Sequence, residues 1–341
     1  MDFINTIIHD TWMGQEAWLW VLFLTFVFTL LFVDLFVLNK KDHVIELKES
    51  LRLTAIYLSL GALFGLWVFY QNGASQAADY YTVWLLEQSL SLDNLFVMSV
   101  IFSSFAIPRQ YQHRVLVWGI LGVIIFRGIM IGAGAVLVNE YKEVLYLFAV
   151  ILIITGIKMM FINSEENEDY TQKGYVKWMA KHLRIDSKLH GNQFFVRLPG
   201  QGGKALLYAT PLFLCLCTIE LTDVMFAFDS VPAALAITTD PYIVYTANIF
   251  AILGLRAMFF AMEHVLHRFE YLKYSLSIVL VFIGLKVFYS GMVGHVPAAV
   301  SLGITVGVLA LGVIVSMIKT KGEPDTEHMT DPVDHTHHGH K

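Results

Sequence analysis

The chain has 341 residues, 56% of them hydrophobic and 15% charged, and a net charge of −5. A soluble domain carries roughly 25% charged residues, and the mean hydropathy here is +0.61. These values argue against a soluble enzyme or a nucleic-acid partner and indicate a chain embedded in lipid. Cys215 and Cys217 are too few for a disulfide framework, and two residues apart on a helix they cannot face each other.

The N-terminal stretch MDFINTIIHDTWMGQEA lacks the basic start and small-residue cleavage site of a secretory signal. Runs of about 20 apolar residues can cross the hydrocarbon core as helices. Nine are expected, near 17–38, 51–70, 77–107, 114–138, 143–162, 205–236, 243–266, 271–290 and 296–318. The predicted fold class is therefore an all-α polytopic membrane protein. The third and sixth runs exceed a plain span, and the sixth holds Pro211 and Pro232, so broken helices are expected there.

Lys and Arg crowd alternate loops. Lys40, Lys41 and Lys48 follow the first run, and Arg109 and Arg114 the third. Seven more lie between Lys173 and Lys204, Arg268 and Lys273 follow the seventh run, and Lys319 and Lys321 the ninth. Lys142 is the exception. The positive-inside rule then predicts an external N-terminus and a cytoplasmic C-terminus. Asp34, at the inner end of the first run, reads as interfacial. The connection 163–204 contains KGYVKWMAKHLRIDSKL, in which Tyr175, Trp178, Met179 and Leu183 form an apolar stripe. That pattern fits a helix lying on the inner leaflet or a solvated cytoplasmic one.

Two segments resemble each other. LYLFAVILIITGIKMMF matches KYSLSIVLVFIGLKVFY, and LDNLFV at Asp93 matches TDVMFA at Asp223. Asp93 to Arg127 is 34 residues and Asp223 to Arg256 is 33; Arg127 to Lys158 is 31 and Arg256 to Lys286 is 30. Each copy holds three spans, an odd number, so the second enters the membrane from the opposite face. Inverted repeats place transporter sites near the midplane where the copies meet. The predicted organisation is two N-terminal spans (1–76), a first repeat (77–162), the cytoplasmic connection (163–204), a second repeat (205–290), a ninth span (291–318) and a tail (319–341).

The spans carry Glu87, Asp93, Asn94, Glu220, Asp223, Asp229 and Ser230. A carboxylate at bilayer depth costs a few kcal/mol or more unless paired or coordinated. Glu87, Ser91 and Asn94 share one helix face, and Glu220, Asp223 and Ser230 another. Asp93 and Asp229 fall off these faces, which calls for a second pairing or a helix break. Arg127 and Arg256 lie too deep to snorkel and are expected to pair with carboxylates, with Asp93 or Glu220 as the partner of Arg127. Lys158 and Lys286 lie near helix exits, as snorkelling residues or as gating ion pairs. Five acids against two arginines leave a negative surplus, which favours a cation over an oxyanion such as tellurite. With oxygen donors and no mid-span histidine, Mn²⁺, Mg²⁺ or Ca²⁺ suits better than Zn²⁺ or Cu⁺. Cys217, Met98, Met225 and Met258 read as packing. His335, His337, His338 and His340 in the tail form either an accessory chelator or an inert end. No HExxH, GxSxG or Cys–His set appears, so an enzyme is not expected.

EQSLSLDNLFVM at 87–98, RVLVWGILGVIIFR at 114–127, IELTDVMFAFDSVPA at 219–233 and TTDPYIVYTANIFAILGLRAMFF at 238–260 resemble the TerC family of bacterial integral membrane proteins, closest to its Alx-type branch. The resemblance covers about residues 15 to 318. It implies a bacterial inner-membrane protein linked by name to tellurium resistance and by function to manganese efflux, with metal supplied to exported enzymes. It places the acidic motif at Glu87, Asp93, Glu220, Asp223 and Asp229. The expected function is export of Mn²⁺ as transported ion, with no tightly bound cofactor and with protons as a possible coupling partner. The alternative is a membrane scaffold of a tellurite or metal-stress complex that recruits stress or export-machinery proteins.

Overall fold

The computed structural model describes residues 11–13, 15–33, 46–161, 169–199, 205–262, 272–294 and 296–319, except for the side chains of Ser91, Leu92, Asp93, Phe96, Arg256, Met262 and Leu272. A two-residue ladder, β1 (Thr11–Trp12) with β2 (Gln15–Glu16), leads into α1 (Ala17–Val33). Then come α2 (Leu47–Asn72), α3 (Ala74–Ser104), α4 (Arg109–Glu140), α5 (Glu143–Phe161) and the short α6 (Gly174–His182). A hairpin of β3 (Phe195–Pro199) and β4 (Ala205–Ala209) precedes α7 (Pro211–Ile237), α8 (Pro241–Met262), α9 (Leu272–Met292) and α10 (Ala298–Lys319).

Among the described residues, nine helices run from 17 to 32 residues. Seven of them, all but α1 and α3, are long and apolar enough to cross a membrane. Helix α1 stops at 17 residues. Helix α3 has 31, but Asp79, Glu87, Gln88, Asp93 and Asn94 lower its hydropathy. The chain is thus a multi-pass, all-α membrane protein.

Local chemistry explains several ends. Gly73, at φ 87°, makes the turn between α2 and α3 in a left-handed conformation that suits glycine. Asp240 caps α8, its Oδ1 accepting from the amides of Tyr242 and Ile243 at 2.9 and 3.3 Å, with Pro241 at the first helical position. Neither α3 nor α7 is broken, contrary to the expectation from their length. The sixth predicted run also starts too early, because 205–209 is strand. The surplus of α7 is its first turns, which pack on α6: Val176 and Met179 are buried against Leu214, flanked by Phe105, Tyr175, Ile185 and Cys217. Burying each such apolar side chain contributes about 1.5–3 kcal/mol. Of the predicted α6 stripe, Met179 is buried and Trp178 and Leu183 are exposed. The hairpin itself was not anticipated.

Helix α8 is the core helix, buried along nearly all of its apolar length. It packs on α2, α3 and α4, and α1 adds an aromatic cover in which Trp20 meets Tyr242 at 5.1 Å and Phe23 meets Phe250 at 5.8 Å between ring centroids. The other large contacts pair α5 with α9 and α4 with α7. The α5–α9 crossing is close at both ends. A Cβ on Gly156 would lie 2.8 Å from the Ser277 carbonyl oxygen, and one on Gly284 would lie 2.8 Å from that of Ala149.

Candidate functional site

Three helices converge on Arg127. It is buried on α4 at 1% exposure, with Glu87 of α3 at 0% and Asp223 and Ser230 of α7 at 4% and 2%. Its Nη1 donates to Glu87 Oε2 at 2.9 Å and to Ser230 Oγ at 3.1 Å. Its Nε and Nη2 reach Asp223 Oδ2 and Oδ1 at 3.4 and 3.5 Å. The pairing is possible because Asp223 and Ser230 lie seven residues apart, two turns along one face of α7. One guanidinium, planar and forked, thus bridges two carboxylates and a hydroxyl. The expected partner of Arg127 needs correction: among the described side chains it is Glu87 and Asp223, not Glu220. Asp93 lies outside the described side chains.

Glu220 sits one turn before Asp223, level with Gly119 and Gly122 of α4. A Cβ on Gly122 would lie 2.1 Å from Glu220 Oε2, and one on Gly119 would lie 3.3 Å from Oε1. Both carboxylate oxygens are buried with no hydrogen-bond partner among the described residues, as is the second oxygen of Glu87. The glycine pair is a feature that sequence reasoning passed over. Its signal was the spacing in WGILG, two glycines three apart on the face of α4 that meets α7.

Asp229 does not join the cluster. It turns to α5, where Thr155 Oγ1 donates to Oδ1 at 3.3 Å and the charge of Lys158 acts on it. This is the second pairing that its helical phase called for. Pro232 removes the N–H that the Phe228 carbonyl would accept, without interrupting α7. Lys158 and Lys286 match in sequence but not in setting. Lys158 is exposed. Lys286 is buried, donates to Ser301 Oγ of α10 at 3.3 Å and feels the charge of Asp79. Asn94 is buried on α3. Asn248 of α8 is fully buried with neither amide atom bonded among the described residues. The side chain of Arg256 lies outside the described residues, as do Asp34, His335, His337, His338 and His340. Among the described residues, no three His, Cys, Asp or Glu side chains gather as ligands of a metal. Arg127 occupies the space between the two acids that face each other.

One end of the helix bundle carries a cap. Ala209 forms a parallel bridge with Ile185, the Asp186 amide donating to the Ala209 carbonyl at 3.0 Å and the Ala209 amide to the Arg184 carbonyl at 2.8 Å. His190 Nε2 bonds Asp186 Oδ2 at 2.5 Å, and this bond holds the Asp186 carboxyl below its ordinary range. The Arg114 guanidinium lies over the Phe194 ring, 5.9 Å from its centroid. These contacts tie 184–210 to the start of α4 and α7.

Comparison with known proteins agrees with the composition and the fold. The profile of the family described as integral membrane protein TerC matches residues 72–323. An uncharacterized membrane protein of Rickettsia bellii is 46% identical over 300 residues, covering 88% of this chain and 97% of its own length. A Photorhabdus laumondii protein with the provisional name membrane-bound redox modulator Alx is 42% identical over 308 residues, covering 88% of this chain and 94% of its own. The Escherichia coli protein with that provisional name is 41% identical over 307 residues, covering 87% and 94%. No solved structure matches the chain. The chain belongs to the TerC family of integral membrane proteins.

Proposed function

We propose that this chain transports a divalent cation across the membrane, manganese foremost, through the carboxylate cluster between α3, α4 and α7. The observation that carries this reading is a surplus of buried acceptors. Glu87 and Asp223 share a single guanidinium, Glu220 lies one turn from Asp223 and does not touch that guanidinium, and three oxygens of these acids have no hydrogen-bond partner among the described residues. Buried acceptors left unpaired cost about 1–3 kcal/mol each, more when charged, and a cation supplies what they lack. In this arrangement Arg127 is an internal stand-in for the cargo, and the metal must displace it from Glu87 and Asp223. The donors are oxygens, which suits Mn²⁺, Mg²⁺ and Ca²⁺, and the family resemblance selects manganese.

The helix pairings support two inverted three-helix repeats, α3–α5 and α7–α9. Exchanging the copies maps the α3–α8 contact onto the α7–α4 contact and the α5–α9 contact onto itself. The reciprocal glycines fit the same exchange, since Gly156 and Gly284 each meet the carbonyl seven residues before the other. Basic residues on the cap and at the start of α4 gather at one end, which supports a cytoplasmic cap and an inner-membrane, nine-span topology. The name of the Alx relatives raises a thiol-redox reading. Here Cys215 and Cys217 pack into different clusters, and both are free, so a thiol pair is not what this chain offers.

Purified protein in sealed vesicles tests the proposal. Mn²⁺ flux is expected in wild type and lost in Asp223→Asn. Vesicles that hold folded protein and pass no divalent metal would favour the scaffold.

A further inference from the structure

We propose that an anionic phospholipid binds beside the cap, its phosphate at Arg114 and its upper chains against Phe195 and Leu207, with Arg197 adding to the attraction. The site stands apart from the transport reading and takes from the topology only that the cap lies at a membrane surface. The argument starts from the height of the hairpin. Helix α7 has 27 residues, about 40 Å of helix, which matches a bilayer with its headgroup layers. Its first turn, with Phe213, is therefore at headgroup level. Strand β4 reaches that turn through Thr210 alone, and the Phe195 ring meets Phe213 at 4.5 Å between centroids. The next ring, Phe194, meets Trp118 at 6.3 Å. Trp118 is exposed on the α4 face that carries Ile125 and Ile129, and a tryptophan so placed marks the membrane interface.

Strand geometry turns the bare face of the hairpin to the lipid. Side chains two apart on a strand leave on the same side. Phe195 is turned to the first turn of α7, so Arg197 and Pro199 point the same way, beyond the helix. In the register Leu207 stands opposite Arg197 and Ala205 opposite Pro199, so both join that face. All five of these residues are exposed, while Val196 on the other face is buried. The charge there has no counter-ion in the chain nearby. No Asp or Glu occurs from Ser187 to Ile219, nor from Leu95 to Asn139. The Arg114 guanidinium lies over the Phe194 ring, and its Nε is buried without a hydrogen-bond partner among the described residues. Of the described acids of the cap, Asp186 is engaged by His190 and Asp169 caps its own turn. A guanidinium at headgroup level, stacked on a ring and facing no carboxylate, fits a phosphate through its fork of N–H donors. Net negative lipid adds attraction at both arginines. The lipid also covers Phe195 and Leu207, which free phosphate would leave bare.

Two measurements on the full-length protein test this. In the first, native mass spectrometry reads the lipid adducts of detergent-purified protein given equal amounts of phosphatidylglycerol and phosphatidylcholine with identical chains. Wild type is expected to retain phosphatidylglycerol in preference, and Arg114→Gln and Arg197→Gln each to lower that preference about fivefold. Lys142→Gln, changed beyond the far end of α4, is expected to keep it, and excess inorganic phosphate to displace none of the lipid. In the second, a spin label on Leu207→Cys, in a background without Cys215 and Cys217, is placed in phosphatidylglycerol nanodiscs. Oxygen is expected to reach it better than a water-soluble nickel chelate does. This arm changes neither arginine, so it decides the matter if those variants fail to fold. Equal retention of both lipids by wild type, an undiminished preference in the arginine variants, an equal loss in Lys142→Gln, displacement by inorganic phosphate, or a label that the chelate reaches freely overturns the proposal. None of these outcomes bears on metal flux, and a protein that passes no metal leaves the lipid site standing.

Discussion

Arg127 is where a single side chain has the largest consequence. It is a buried cation whose removal strands two buried carboxylates, Glu87 and Asp223. Breaking a buried pair by deleting one partner costs about 3–5 kcal/mol, because the survivor stays uncompensated. Arg127→Ala is expected to lose folded protein in detergent, or to hold its metal more tightly and release it slowly. Combining it with Glu87→Gln or Asp223→Asn removes an orphan charge and is expected to restore part of the folded yield. Glu220→Gln in the same background is expected to rescue less, since Glu220 does not touch the guanidinium. Size-exclusion profiles of the four variants decide it. Equal failure of all three rescues would mean that the pairing is not what Arg127 does.

Among the elements, the α5–α9 crossing makes the sharpest demand. The atoms that a Cβ would meet at Gly156 and Gly284 are backbone oxygens, which cannot swing aside as a side chain can. Overpacking of this kind costs about 1–3 kcal/mol. Gly156→Ala and Gly284→Ala are each expected to lower the melting temperature in detergent, and the double variant by less than the sum, because one separation of the helices relieves both. Gly303→Ala is the control, since no atom lies within 4 Å of its Cβ position; an equal drop there would refute the account. The cap makes a pH prediction. The Asp186 carboxyl is held below its ordinary range by His190, so the folded form gains from it above the unfolded carboxylate value of about 4. That gain is lost as pH falls through the lower folded value. Hydrogen-exchange protection of the Asp186 and Ala209 amides, corrected for intrinsic rate, is expected to stay level from pH 8 to about 5 and to fall below about 4. Asp186→Asn should be less protected at neutral pH and show no such fall. A loss centred well above pH 5 in wild type would refute it.

For the whole molecule, α1 and α2 have a clear task. Helix α8 carries the fully buried Asn248 and Thr246, and its apolar face is sealed by aromatic rings of α1 and α2, with the tilted ring of Phe64 4.9 Å from that of Phe250 between centroids. In the proposed repeat its counterpart is α4, which among the described residues has no such cover and exposes Trp118, Ile125, Phe126 and Ile129, a face suited to lipid. The proposed topology has a direct test. Gly73 is exposed, at a turn with open space around it. In a background without Cys215 and Cys217, a cysteine at 73 is expected to react with an impermeant maleimide from outside, and one after Lys321 only once the membrane is opened. Labelling of both from the same side would break the odd count of spans between them, and the inverted repeat with it.

The sequence by itself determined that the chain is a membrane protein, roughly where the long helices lie apart from the early start of the sixth run, and that Glu87, Asp223, Ser230 and Arg127 belong to its interior. Those features are local: a run of apolar side chains needs a helix to satisfy its backbone in lipid, and helical phase alone puts Asp229 on another face than Asp223. The tertiary structure decided which acid meets which base. Glu220 and Asp223 share a helix face, yet only Asp223 reaches Arg127, because the sliding register between α4 and α7 sets Glu220 against two glycines instead. Lys158 and Lys286 hold matching places in two similar sequence segments, but α10 covers Lys286 and Lys158 is exposed. The hairpin at 195–209 is short, and its pairing partner is a strand away, so the apolar run that follows absorbed it. Register, cover and strand pairing are relations between distant segments, and a hydrophobic pattern read along one segment contains no term for them.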